Sequence, residues 1–178
     1  MRHGKTDWNE KRKLQGKTDI PLNEVGRTMA REAQRAYRDV HFDLCYSSPL
    51  IRARETAEIV LEGRALPILT DERLREMSFG IYEGVERALD VPGSPMYALF
   101  HSPENYLAPE GAESLRDLYA RTGDFLREKI EPALKEGLNV LIVGHGAMNS
   151  SIICQVRKLP LNAFWSAGIE QCKLLRLL

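Results

Sequence analysis

The chain has 178 residues, 43% hydrophobic and 28% charged, which is enough for one domain with a full core. Its 25 basic and 25 acidic residues balance, so no global field draws it to nucleic acid or an anionic membrane, and the charge needed to bind an anionic substrate must be local. No apolar run nears the ~20 residues of a membrane span, no signal-peptide core is evident, and Cys45, Cys154 and Cys172 show neither C-x-x-C nor metal-ligand spacing; a cytoplasmic protein with buried, reduced thiols is expected.

Met1 to Thr6 sets an arginine, a histidine and a glycine side by side before any helical periodicity begins. Asp7 to Ile20 is polar, broken by Gly16, and reads as loop. Asn23 can cap a helix whose face is Val25, Met29, Ala33 and Ala36/Tyr37. Phe42 to Tyr46 is a short strand. Ser47-Ser48-Pro49 ends it and opens a helix to about Leu61, with Ser48 as N-cap and Pro49 at the first helical position. Leu66 to Leu69 is a weaker strand, and Pro67 places it at a sheet edge.

Leu74 to Gly84 reads as an irregular loop, and residues 85–109 are the least regular stretch, with one short helix predicted around Met96, Tyr97, Leu99 and Phe100. Ser114 begins the longest helix, with Leu115, Leu118, Tyr119, Phe125 and Leu126 on one stripe. Asn139 to Val143 is the best strand, apolar throughout as a strand buried on both faces should be. Gly144-His145-Gly146 ends it, a helix follows, and Lys173 to Leu178 is predicted as a terminal strand. Strands alternating with helices indicate α/β layering.

Arg52 falls in the first turn after Ser48-Pro49, and His145 precedes a helix opening at Gly146. Helix N-termini in such sheets offer unpaired N–H groups and a positive dipole end, a natural anion site. The planar guanidinium fork of arginine matches phosphate oxygens, so Arg2 and Arg52 can clamp a phosphoryl group from two sides. A neutral imidazole can attack phosphorus, which casts His3 as nucleophile. His145 can donate to the equatorial oxygens as charge builds, and Glu76 can protonate a departing alkoxide and then deprotonate water. No cofactor is called for and no metal, since the arginines supply the positive charge and no Asp, His or Cys cluster has ligand spacing.

The blocks that carry this chemistry resemble a known family. Arg2-His3-Gly4-x-Thr6-x-Trp8-Asn9 is similar to the signature of the histidine phosphatases, the phosphoglycerate-mutase-like superfamily. The match continues through Leu14-Gln15-Gly16, Ser47-Ser48-Pro49-Leu50-x-Arg52, Leu74-x-Glu76-x-x-Phe79-Gly80-x-Tyr82-Glu83-Gly84, Gly111-x-Glu113-Ser114 and Val143-Gly144-His145-Gly146. The resemblance implies His3 as the phosphorylated residue and Glu76 as proton donor. It makes Arg2, Arg52 and His145 the rest of a phosphate pocket, Asn9 a phosphate contact, and Gln15 and Gly16 a substrate-contacting loop.

It also implies a mostly parallel central sheet flanked by helices, in a single domain over residues 1–178 with 85–109 as a short cap or insertion. Two departures stand out. Tyr82 occupies a position that is often tryptophan in the family. Family members also carry an apolar strand before the arginine, whereas only Met1 precedes it here, so the first strand is truncated; either the stated sequence begins late or the protein lacks most of the strand that positions His3.

Three readings compete. The first is a metal-independent phosphomonoesterase acting on a small phosphorylated metabolite through phosphohistidine; a homodimer is compatible with it. The second is a phosphoglycerate mutase, an isomerase that returns the phosphoryl group to substrate. Mutases carry a long site-closing insertion after the Glu83-Gly84 region, and the two dozen or so residues here favour water access and hydrolysis. The third is a non-catalytic phosphate-binding domain, disabled by the missing strand.

Overall fold

The computed structural model describes residues 1–178. Three strands, β1 (Leu44–Ser47), β2 (Ile68–Thr70) and β3 (Val140–Val143), form a parallel sheet in the order β2-β1-β3. The register sets Cys45 beside Ile68 and Leu141, and Ser47 beside Thr70 and Val143, so the strands end together at one edge. Parallel strands need crossovers, and helices supply them: α3 (Ile51–Val60) between β1 and β2, and α5 (Leu115–Phe125) and α6 (Glu131–Lys135) before β3. The remaining helices are α1 (Asp7–Glu10), α2 (Glu24–Ala36), α4 (Pro95–His101) and α7 (Gly146–Arg157). None is long and apolar enough to cross a membrane.

The caps predicted at Asn23 and Ser114 are present, accepting from the Gly26 and Asp117 amides, and Ser94 caps α4 in the same way. The long helix keeps its predicted stripe but widens by one residue per turn over Leu126–Ile130 before continuing as α6. β2 is an edge strand, as expected, and it begins just after Pro67. The three cysteines are free and buried.

Several expectations are corrected. Asp7 to Ile20 is not all loop: Thr6 and Asn9 form a reciprocal capping box that starts α1. On α2 the predicted Ala33 is buried and Met29 and Tyr37 pack beside it, but the buried residues are Gly26, Ala30 and Ala33 and Val25 is exposed; at Gly26 a Cβ would strike the Lys5 backbone at 2.1 Å. α3 opens at Ile51 with Leu50 as its cap residue, not at Pro49, and the Ser48 hydroxyl is shared between the Leu50 amide and His145. β3 is fully buried only at Leu141 and Val143; Val140 and Ile142 are half-buried.

Lys173 to Leu178 is not a strand. A groove lined by Val140–Ile142 and by Leu174–Leu178 separates it from β3, so it lacks a ladder partner. The extended residues before Gly4 do lie beside the end of β3. His3 N donates to Gly144 O (2.9 Å), Gly144 N to Met1 O (3.0 Å) and Cys172 N to Arg2 O (2.9 Å). Arg2 thus bridges in parallel to both Gly144 and Gln171, and these bonds deliver His3 to the C-terminal edge of the sheet.

Candidate active site

In an open α/β sheet the ligand crevice lies outside the C-terminal ends of the strands. Here those ends carry Ser47-Ser48 after β1, Gly144-His145 after β3, and His3 between β3 and residues 171–172. Above them opens a cleft of about 950 Å³ whose lining includes Arg2, His3, Asn9, Gln15, Gly16, Arg52 and Glu76. Seven of the eight predicted site residues therefore share one wall. The eighth, His145, does not reach the cleft surface; it is fully buried beside His3, ring centroids 5.2 Å apart.

His3 is 3% exposed, and its Nδ1 lies 2.7 Å from the Gly4 carbonyl. That contact makes Nδ1 the protonated nitrogen and leaves Nε2 a free lone pair. Burial, then the charges of Arg52 and Arg2, hold the ring's pKa well below the usual 6.5, so the imidazole is neutral. His145 is held neutral by the same burial and by Arg52. Its Nε2 lies 2.7 Å from Ser48 Oγ, which also accepts from the Leu50 amide (3.3 Å). The hydroxyl keeps its proton free to donate to Nε2, and in that arrangement the His145 proton sits on Nδ1.

That Nδ1 has no partner in the protein, nor has Arg2 Nε or Arg52 Nε, and all three atoms are buried. Buried donors left unpaired cost roughly 1–3 kcal/mol each, so three in neighbouring residues mark a place suited to an anion. Burial lowers the Arg52 pKa to about 10 and that of Arg2 as well, yet both remain cations at neutral pH. Arg52 is aimed by the loop after α1: its two terminal nitrogens donate to Gly16 O (2.7 Å) and Thr18 O (2.8 Å).

Glu76 occupies a place the sequence had reserved for substrate. Its Oε1 accepts from the Met148 and Met77 amides (3.0 and 2.9 Å), and Oε2 from the Ala147 amide (3.2 Å). The N-terminus of α7 thus holds one of the protein's own carboxyl groups. The start of α3 is satisfied internally too, with Ile51 N donating to Asp19 Oδ1 (2.8 Å). Each helix end thus spends part of its N–H groups on an internal carboxyl group, so side chains must supply much of the anion-binding capacity.

Asn9 uses Oδ1 to accept from the Thr6 amide (3.1 Å) and from Gln171 Nε2 (3.0 Å), which leaves its amide hydrogens for the cleft. Gln15 is pinned through Oε1, 2.9 Å from Thr6 Oγ1.

Three supporting residues escaped the sequence reading. Ser48 was taken for a cap. Glu83 lies within a quoted motif block but drew no role; it accepts from the Lys17 and Thr18 amides (3.0 Å each) and so holds the loop that holds Arg52. Trp165 lines the cleft, and no local pattern marks it. Gly16 sits at φ +55°, and a Cβ there would fall 2.1 Å from Glu83 Oε1. Gly16→Ala should cost ~1–2 kcal/mol for the left-handed backbone alone. Because the loop must shift, it should also weaken phosphate binding; melting temperature and phosphate affinity, measured together, check both effects.

A model of the histidine phosphatase superfamily (branch 1) matches residues 1–178. A 2,3-bisphosphoglycerate-dependent phosphoglycerate mutase of Cytophaga hutchinsonii is 35% identical over 162 residues, covering 89% of this chain and 76% of the relative. An uncharacterized phosphatase, PhoE, of Bacillus subtilis is 36% identical over 156 residues, covering 88% and 75%. Among solved structures, Bacillus stearothermophilus YhfR superposes with a TM-score of 0.83 at 35% identity, covering 93% of this chain and 81% of its own. A mycobacterial glucosyl-3-phosphoglycerate phosphatase solved with VO3 gives 0.80 at 32%, covering 93% and 83%. With its parallel α/β sheet, its Arg2-His3-Gly4 start and a family match from end to end, the chain belongs to the histidine phosphatase superfamily, a family of phosphatases and phosphoglycerate mutases.

Proposed function

We propose that the protein is a metal-independent phosphomonoesterase that hydrolyses a small phosphorylated metabolite through phosphohistidine. One observation carries the reading: the free Nε2 of neutral His3 lies among unpartnered donors of Arg2, Arg52 and His145, with Glu76 in the same cleft. His3 Nε2 attacks phosphorus as the P–O bond to the alcohol breaks, and Glu76 gives the leaving oxygen its proton. Water then attacks the phosphohistidine, Glu76 takes a proton back, and phosphate leaves with His3 regenerated. Arg2, Arg52 and His145 Nδ1–H balance the charge on the equatorial oxygens in both steps, with Asn9 as a further contact.

Residues 85–109 act as a short cap of the single domain. Its modest length and a cleft of about 950 Å³ leave room for water, which favours hydrolysis over return of the phosphoryl group. The mutase reading is supported by the relative from Cytophaga hutchinsonii.

A panel of phosphomonoesters, assayed beside a mutase assay on phosphoglycerates, separates the two. Phosphate release should dominate, survive exhaustive chelation and be inhibited by vanadate, which mimics the five-coordinate transition state. Activity lost with chelator and restored by magnesium would mean different chemistry. Interconversion of phosphoglycerates outpacing phosphate release would make it a mutase.

A further inference from the structure

Trp165 is the large aromatic side chain that the catalytic scheme leaves unused, and its position is unusual. An ideal Cβ on Gly146 would lie 3.5 Å from Glu76 Oε2, 3.9 Å from Arg2 Cζ and 3.9 Å from Trp165 Cζ3. The edge of the indole therefore converges on the same point as the proposed acid and one phosphate-binding arginine. The ring is also rigidly held. It stacks on Phe100 (centroids 4.5 Å, planes 9° apart) and meets the fully buried Phe164 edge-on (4.7 Å, 87°). Its Nε1–H donates to Leu99 O (2.8 Å), which ties it to α4. Trp165 and Phe100 both line the cleft, and Phe79 joins them in its lining.

The sequence places Met96, Tyr97, Leu99 and Phe100 on one short helix within the cap segment. They divide. Met96 and Leu99 are core, Tyr97 packs against His101 with the rings tilted (centroids 4.1 Å apart), and Phe100 faces the cleft.

We propose that Trp165 and Phe100 form a preorganised aromatic wall of the leaving-group subsite, and that the protein selects phosphomonoesters whose alcohol carries a flat aromatic or heteroaromatic ring a few bonds from the ester oxygen. The proposal rests on the phosphatase reading for its phosphoryl chemistry, while the ring preference is a binding property of its own. A wall already locked by stacking and by a hydrogen bond costs little further ordering when a ring settles on it. Aromatic pairs gain ≈ 0.5–1.5 kcal/mol beyond burial of area, roughly 2- to 13-fold, and an aliphatic ring of the same size does not share that gain.

The test compares 2-phenylethyl with 2-cyclohexylethyl phosphate, whose alcohols are similar in acidity and size. The corresponding phosphonates serve as non-hydrolysable binding probes. In the wild type, kcat/KM and phosphonate affinity should both favour the phenyl compound several-fold. That preference should fall toward unity in Trp165→Ala, shrink in Phe100→Leu and persist in Trp165→Phe, which keeps a ring without the N–H. The two conservative variants carry the test if Trp165→Ala does not fold. Ester hydrolysis with no phenyl preference in the wild type, or with the preference unchanged in Phe100→Leu and Trp165→Ala, overturns the ring subsite and leaves the phosphatase reading intact. Phenyl-selective phosphonate binding without hydrolysis of either ester overturns the phosphatase reading and supports the ring subsite.

Discussion

His3→Ala should abolish turnover, by roughly 10⁴-fold or more, the scale on which removing a nucleophile from a concerted constellation acts. The expectation follows from the tautomer. With Nδ1 committed to the Gly4 carbonyl at 2.7 Å, Nε2 is the only ring atom with a lone pair to offer. Burial beside Arg52 and Arg2 keeps it unprotonated well below pH 6.5, so at that pH ring ¹⁵N resonances should report a neutral imidazole with its proton on Nδ1. Phosphate binding should survive in part in the variant, because Arg2, Arg52 and His145 remain. Labelled substrate should trap an acid-labile, base-stable adduct in the wild type alone. An adduct that persisted in His3→Ala would assign the nucleophile elsewhere.

Glu76→Gln should separate substrates by leaving group. Alkyl phosphates, whose alkoxides need a proton as they depart, should slow by roughly 10²–10⁴-fold. Aryl phosphates, with stable leaving anions, should lose much less in single-turnover phosphorylation. The side chain is fixed well enough for this to be a clean test. Three backbone amides, of Met77, Ala147 and Met148, hold its two oxygens, and the amide replacement keeps its shape. One of those N–H groups must then face the new NH2, which adds a stability cost of about 1–3 kcal/mol to be measured alongside the rates. Equal losses for both substrate classes would remove Glu76 from the acid role.

These two residues show how far the chain could be read before it was folded. Arg2, His3, Arg52, Glu76 and His145 each sit in a short block where residue type and neighbours announce phosphoryl chemistry. Alternating strands and helices announced the α/β sheet, and seven of eight predicted residues do line one cleft. The blocks could not say what satisfies each helix end. Glu76 reaches α7 across 72 residues and Asp19 reaches α3 across 32, so part of each expected anion site is taken by the protein's own carboxyl groups.

Hydrophobic periodicity misled where the partner surface mattered more than the pattern. α2 buries Gly26 where the Lys5 backbone crosses it and Ala30 beside Val60 and Cys172, while Val25 of the predicted face is exposed. Lys173–Leu178 stays irregular because a strand exists only through a partner's N–H and C=O groups.

What the sequence determined alone is the candidate set, because its members sit in short motifs with local signatures that the fold brings to the sheet edge. What only tertiary structure decided is the support around that set: Ser48 on His145, Glu83 behind the Arg52 loop, and Trp165 meeting Glu76 and Arg2 at one point. Those contacts join residues 65 to 97 positions apart, and in one case nearly the whole length of the chain. They leave no periodicity or spacing along the chain, because packing between distant elements depends on shape and not on sequence neighbourhood.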